Sequence, residues 1–474
     1  MLWIALRLPL LPLEIFLRGA PTPEPFAVIE NHHVLVCDRK AELRGVRARL
    51  PVPAALTLAP RLLIKARDAA AETEALLGLA AWAMQFTPSV TLEFPDGLAL
   101  EVSGSLKLLG GLDSILSRLQ IDLAGMGYTA ALACAPTLRA ACWMARSRTA
   151  GTAPACLVPD TLAQTIAALP VSVLAEENQQ VLQSIGVSRL GDILALPRDG
   201  LARRFGQQLL DDLDRALGRM PEARTFFQPP EKFQAAIELP AEVSQSEALL
   251  FAAKRLFTQL GGFLSARCAG VQRIAVRLSH RDATTDIVIG MLAPSRDTAR
   301  FTLLLREQLA RLTLREPVRA IAVSAGEILP LAGDNIALFA EDRASAAQPW
   351  QQLIERLRAR LGNDSVQNLA TVADHRPEQA SLLTDAETKQ LPLNFGERPF
   401  WLLPAPRPLG PQPHYQGPLE LLAGPERIES GWWDDDEAMR DYFVARSAQR
   451  SLLWIYRERR ASHIGMWYLH GIFS

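Results

Sequence analysis

The chain has 474 residues, 49% of them hydrophobic and 21% charged, a globular composition whose length suggests about three domains. Its formal net charge of -1 excludes a uniformly basic coat, so any contact with nucleic acid has to come from a local patch. Cys37, Cys134, Cys142, Cys156 and Cys268 lack Cys-x-x-Cys spacing, which argues for reduced thiols in the cytoplasm and against disulfides or bound zinc.

The opening run MLWIALRLPLLPLEIFLRGA has nothing basic before Arg7 and is interrupted by Pro9, Pro12 and Glu14. A secretory leader needs the reverse arrangement, and a membrane span needs roughly 18 unbroken apolar residues. LWIAL therefore reads as a buried strand, and LPLEIFLRG as a helix closed by Gly19. FAVIE and HVLVCD read as strands, ARDAAAETEALLGLAAWAMQF as a long helix, and GLALEVSG and YTAALACA as strands flanking LKLLGGLDSILSRLQIDLAGMG, whose latter part is helical. Residues 1–165 are expected to form an α/β domain.

Short helices broken at Gly186, Gly191, Pro197 and Gly206 follow, over 166–229. They suit a helix-hairpin-helix module in which amides at Gly186 and Gly191 meet a phosphate; a helical linker with glycine caps fits the spacing comparably. Residues 230–371 give helix, two strands, helix and strand, a small α+β domain with helices on one face of an antiparallel sheet. Between Phe251 and Ala320 twelve Lys and Arg stand against five Asp and Glu. Arg273, Arg277 and Arg281 recur in QRIAVRLSHRD at a spacing that puts them on one face of a strand, either a DNA-binding face or an ordinary solvated one. The proline-rich stretch 372–417 is expected to be an extended linker, and 418–474 a small antiparallel meander. Trp432, Trp433, Trp454, Tyr456, Trp467 and Tyr468 either fill that sheet or meet a partner. His32 and His33 read as a turn without a third ligand, Gly110-Gly111 lacks the rest of a phosphate loop, and Asp434-Asp435-Asp436 reads as a solvated turn.

In this order the pieces resemble a Y-family translesion DNA polymerase of the UmuC/DinB kind over roughly residues 1 to 370. PDGLALEVSGSLKLLGG, ALACAPTLRAACWMAR and IGVSRLGDILALP carry the likeness. It implies palm and fingers over 1–165, a helix-hairpin-helix thumb over 166–229 and a ferredoxin-like, DNA-binding little finger over 230–371. The family's catalysis needs divalent ions held by carboxylates, because the ions neutralise the triphosphate and the developing charge. Aligned on Glu14, the sequence has Ala5 in place of the metal-binding Asp and Arg7 two residues on. At the second motif Asp96 survives, while Gly97 replaces the Glu. Glu93 and Glu101 are the nearby acids that a misalignment would bring in. The positions that touch the triphosphate in the family become Arg39, Glu42, Leu138 and Cys142.

QLPLNF fits the Q-x-x-L-x-F form of the bacterial sliding-clamp motif, so Gln390, Leu391, Leu393 and Phe395 are the expected clamp-binding residues. This motif, the degenerate core and the tail GPERIESGWWDDDEAMRDYFVAR…LLWIYRERR…WYLHGIF resemble the non-catalytic Y-family homologues of bacterial mutasomes. The resemblance implies an adaptor of SOS-induced translesion synthesis, with no cofactor or metal, which binds DNA and the clamp. Its further partners would be an ImuA-like, RecA-related protein and a DnaE-type error-prone polymerase. The alternatives are a weakly active translesion polymerase relying on Asp96 and an interaction hub with negligible DNA affinity.

Overall fold

The structure is a computed structural model that describes all residues except 21, 149, 153–158, 315, 332–342, 385–397, 435, 461–463 and 474. It divides into two units, Met1–Arg360 and Leu361–Ser474.

The first unit is built on β1 (Trp3–Arg7), α1 (Leu11–Leu17), β2 (Phe26–Glu30), β3 (His33–Cys37), α2 (Arg39–Leu43), α3 (Val52–Leu58), β4 (Leu63–Ala66), α4 (Ala69–Ala83), β5 (Val90–Glu93), β6 (Gly97–Glu101), α5 (Leu112–Met126), β7 (Ala131–Ala135), α6 (Leu138–Arg146) and β8 (Gly151–Thr152). A five-stranded sheet runs β5-β6-β1-β7-β8, so the opening LWIAL lies at its centre. Covered faces on both sides explain why that strand is a continuous apolar run. Ile4 and Leu6 pack with Leu76, Leu79, Ile115 and Leu119 of α4 and α5. Trp3 and Ala5 face the other way, toward Ala141, Cys142 and the helices beyond. A separate sheet, β3-β2-β4, carries its own small core with α2 and α3. The β2–β3 turn places Asn31 and His32 at positive φ, in keeping with a turn at His32-His33.

Next come α7 (Pro159–Ala167), α8 (Glu176–Ser184), α9 (Leu190–Leu194), α10 (Arg198–Phe205) and α11 (Gln207–Ala216), whose apolar faces join the core of α6. The chain then runs back along the first sheet. The Phe227 amide donates to the Val90 carbonyl at 2.7 Å, and Arg224 lies 3.1 Å from Glu93. It enters a second sheet, ordered β11-β10-β12-β9, made from β9 (Phe233–Val243), α12 (Ser246–Ser265), β10 (Ala269–Ser279), β11 (Thr284–Ser295), α13 (Thr298–Arg311) and β12 (Val318–Ala325). β13 (Leu329–Pro330) and α14 (Arg343–Leu361) complete the unit. The helix, strands, helix and strand expected here are present, but the sheet has an additional first strand, β9. Phe233, Ala235, Ile237 and Leu239 alternate inward along it, a period-two signal that Pro240 interrupts.

The helix α12 serves two cores. Leu256, Phe257 and Leu260 pack into its own sheet, while Gly262 approaches the fully buried Trp82 of α4 so closely that a Cβ there would overlap the indole. Gly127 at the end of α5 leaves room only for the Arg255 guanidinium. Arg255 in turn donates to the Arg18 carbonyl, and Arg18 to the Tyr128 hydroxyl. In this cluster burial pushes the Glu14 carboxyl up to about 7, although it accepts from the Thr129 amide at 2.8 Å. Burial, with Arg18 alongside, pushes Arg255 down to about 10.

The second unit contains β14 (Asn368–Thr371), β15 (Ser381–Thr384), β16 (Trp401–Gly410), β17 (Glu420–Ser430), β18 (Ala438–Arg446), β19 (Leu452–Glu458) and β20 (Trp467–Ile472). The last four strands form the expected meander. The proline-rich segment departs from expectation: β16 pairs with β20 and closes the sheet in the order β16-β20-β19-β18-β17. WLLPAPRPLG is therefore a sheet edge, where prolines cost no interior ladder bonds. Tyr442 stacks on Trp454 at 4.1 Å, and its hydroxyl lies 2.8 Å from His470 Nδ1. Burial holds that imidazole below its ordinary value.

An alanine at Gly262 gains roughly 1 kcal/mol of helix propensity but displaces Trp82. The substitution Gly262→Ala is expected to lower stability by about 1–3 kcal/mol, measured by urea unfolding; unchanged or higher stability would contradict the seating of α12 on α4.

Candidate functional site: the Arg7–Asp96 end of the first sheet

The expected catalytic positions meet at one end of the central strand. Pairing of β1 with β6 sets Ala5 opposite Ala99 and Arg7 opposite Gly97, and the Leu8 amide donates to the Asp96 carbonyl at 2.7 Å. Arg7 Nε donates to Asp96 Oδ2 at 2.8 Å, and Arg7 Nη1 reaches the Arg146 carbonyl at 3.3 Å. The surviving acid is thus paired with an arginine from the adjacent strand. Glu93 lies opposite Gly97 in the β5–β6 hairpin and has Arg224 3.1 Å away. Glu101 sits at the far end of β6, about 16 Å along the strand, and accepts from the Leu2 amide at 3.1 Å. It belongs to another end of the sheet.

These residues do not fit a pair of divalent ions. Ala5 and Gly97 offer no side-chain oxygen, and Asp96 and Glu93 each face a guanidinium. The cavity among Ala5, Arg7, Glu93, Asp96, Cys142 and Arg146 has a volume of about 20 Å³, enough for about one water molecule. Among the described residues no three His, Cys, Asp or Glu side chains come together as ligands.

The remaining triphosphate positions fall apart. Leu138 and Cys142 are buried on α6, at 2% and 7% exposure. Burial raises the Cys142 thiol far above its ordinary value, so it is a packing group and not a nucleophile. Arg39 and Glu42 are exposed on α2. Of the two glycines expected to meet a phosphate, only Gly186 is an open turn with positive φ. Gly191 lies in the first turn of α9, and a Cβ on it would sit 3.0 Å from the Ala167 carbonyl. Its Cα faces a helix. Gly206, between α10 and α11, has positive φ and nothing within 4 Å of a Cβ; its place after RRF was the signal for a second hairpin turn.

On the second sheet, Arg273 and Arg277 share the exposed face of β10, whereas Arg281 lies beyond it, in the turn before β11. The basic excess is smaller in space than in sequence. Arg277 binds Asp286 through Nε at 2.7 Å and Nη2 at 3.2 Å, Arg319 donates to Glu242 at 2.6 Å, and Arg300 donates through Nε to the buried Glu355 at 2.7 Å. The clamp-motif residues Gln390, Leu391, Leu393 and Phe395 lie outside the described residues. The aromatic tail divides: Trp454, Tyr456 and Trp467 are core at 2%, 3% and 8% exposure, while Trp432 and Trp433 are 78% and 62% exposed.

Comparisons place this geometry among known proteins. A family model described as the impB/mucB/samB family matches residues 19–146. Protein ImuB of Caulobacter vibrioides strain NA1000 / CB15N is 29% identical over 456 residues, covering 89% of this chain and 98% of that protein. The Protein ImuB of strain ATCC 19089 matches at the same identity and coverage. Among solved structures, a Dbh ternary complex is 18% identical with a TM-score of 0.39, covering 70% of this chain and 100% of its own. DinB from Sulfolobus solfataricus gives 18% and 0.38 with the same coverage. Residues 19–146 thus match the impB/mucB/samB family model, and the chain is similar to Protein ImuB along most of its length.

The Arg7–Asp96 pair is partly exposed, at 31% and 25% of the side chains. Removing its cation with Arg7→Ala is expected to cost about 1–2 kcal/mol in urea unfolding at neutral pH. An Arg7→Ala/Asp96→Ala double variant should lose less than the sum of the two single losses; strict additivity would mean that the pair does not interact.

Proposed function

We propose that this ImuB-like chain is a non-catalytic adaptor in SOS-induced translesion synthesis and mutagenesis. Its impB/mucB/samB-family domain and its similarity to Protein ImuB tie it to DNA damage. The observation that carries the rest is the Arg7–Asp96 ion pair. A tethered guanidinium stands beside the one retained acid, and it does not coordinate an attacking hydroxyl and a phosphate oxygen together as a Lewis-acidic metal ion does. A palm sheet, kept but closed, supports a scaffold reading.

In this reading residues 1–165 keep the shape of palm and fingers, 166–229 that of a thumb, and 230–371 act as a little-finger-like surface contacting DNA through Arg273, Arg277 and the turn at Arg281, with the Gly186 turn on the thumb side. Gln390, Leu391, Leu393 and Phe395 hook the sliding clamp. The module over 418–474 recruits an ImuA-like, RecA-related protein and a DnaE-type error-prone polymerase, which performs the synthesis in the cytoplasm. Among the described residues no helix is long and apolar enough to cross a membrane. Asp96, with Glu93 on the same cavity, motivates the rival reading of a weakly active polymerase.

The adaptor binds clamp and DNA through separable surfaces. Alanine at Gln390, Leu391 and Phe395 is expected to abolish binding to the purified clamp in a surface-immobilised assay and to leave duplex affinity unchanged. Glu at both Arg273 and Arg277 should weaken duplex binding and flatten its salt dependence, by about 0.9 in log-log slope for each phosphate that is no longer neutralised. Loss of clamp and DNA binding together in the first variant, or no DNA effect in the second, would contradict this division.

A further inference from the structure

Trp432 and Trp433 form an edge-to-face pair 5.5 Å apart on the turn that joins β17 to β18. Single exposed apolar residues are ordinary, but two adjacent indoles left mostly in water are not. Each presents roughly 150–250 Å² of rigid surface.

The turn that carries them is fixed from below. Arg376, 5% exposed, donates to both Asp434 oxygens at 2.9 and 2.8 Å, to the Asp436 carbonyl at 2.9 Å and to Asp374 at 2.8 Å. Gly431 has positive φ, and a Cβ on it would lie 2.6 Å from both the Arg376 guanidinium and the Asp436 carbonyl. The Asp436 amide donates to Asp434 at 3.0 Å, and Trp433 lies over the buried arginine at 5.9 Å. These contacts tie Gly431, Trp433, Asp434 and Asp436 to the buried arginine, as in a pre-organised binding surface.

Charge selects the occupant. The segment Glu429–Glu437 holds five acids and no Lys or Arg. Arg459 pairs with Glu429, and Arg460 donates to the Glu437 carbonyl at 3.2 Å and pairs with Glu458. Arg376 is engaged by Asp374, Asp434 and Asp436, the last 61% exposed at its side chain, so acids remain in excess around the indoles. A single strand of DNA would gain stacking on the indoles but needs cations to follow its backbone, and here it would meet carboxylates. A protein groove with an apolar floor for the indoles and a rim of Arg and Lys meets neither objection.

We propose that the Trp432–Trp433 turn is a docking point for a partner protein presenting a basic-rimmed apolar groove. The inference rests on the adaptor reading and narrows its recruiting surface to this turn, with Asp436 and Glu437 steering the encounter.

The test uses the full chain and the two purified partners of that reading, the RecA-related protein and the C-family polymerase, with duplex DNA as control. Trp432→Ala/Trp433→Ala should weaken binding to one of the partners by about 30-fold or more and leave DNA binding unchanged, while Trp432→Phe/Trp433→Phe retains most of the affinity. Asp436→Asn/Glu437→Gln should flatten the salt dependence of the same complex. Far-UV circular dichroism and urea unfolding establish that each variant is folded. A folded double-alanine variant that binds both partners as the wild type does would overturn the inference and leave the adaptor reading intact. Wild-type chain that binds neither partner would overturn both. Tryptophan-dependent self-association in sedimentation, with partner binding unaffected, would assign the turn to a second copy and overturn it as well.

Discussion

A carboxylate set into the end of a covered sheet needs a counter-charge, and the nature of that charge decides what the sheet can do. In this chain the charge is Arg7, 2.8 Å from Asp96. A guanidinium on a neighbouring strand neutralises the acid, donates a second bond to the Arg146 carbonyl and ties β1, β6 and α6 together. It is also fixed. A divalent ion can bridge protein and substrate oxygens and leave with product, whereas an arginine held by its own backbone stabilises a resting fold. The surroundings agree, with Leu138 and Cys142 buried on α6 and a second arginine beside Glu93.

Around that closed sheet the molecule is held by rigid packing. α12 seats one face in its own sheet and the other on α4 and α5, with glycines where the backbones approach most closely and the Glu14–Arg18–Arg255 cluster at one end. In the second unit two buried polar groups find their partners within the unit. His470 meets the Tyr442 hydroxyl, and Arg376 directs its donors to one turn. Glu355 in the first unit, held by Arg300, and Arg376 in the second, held by Asp374 and Asp434, show buried charge tolerated where it is paired.

Much of this was legible in the sequence. LWIAL read as a buried strand and is the central strand of the first sheet, and the lack of any acid between Met1 and Pro12 was plain from the sequence. The pairing of Arg7 with Asp96 was not legible, because it depends on strand register between residues far apart in the chain. β9 was obscured by Pro240 within an alternating run. β16 was hidden by its prolines, which suit a sheet edge as well as a linker. Gly191 read as a helix break, and spacing alone does not show that it lies inside the first turn of α9 against Ala167. The arginines of residues 251–320 overstated the basic field, since Glu242 and Glu355, partners of two of them, lie outside that window.

Whether the proposed palm is closed to chemistry by its own arginine can be read from primer extension. The purified chain and an Asp96→Asn variant would be compared on a primed template, with magnesium or manganese and saturating nucleotides. A closed palm gives no incorporation by either protein. Incorporation by the wild type that disappears with Asp96→Asn would mean that the palm is open and that the chain is an enzyme.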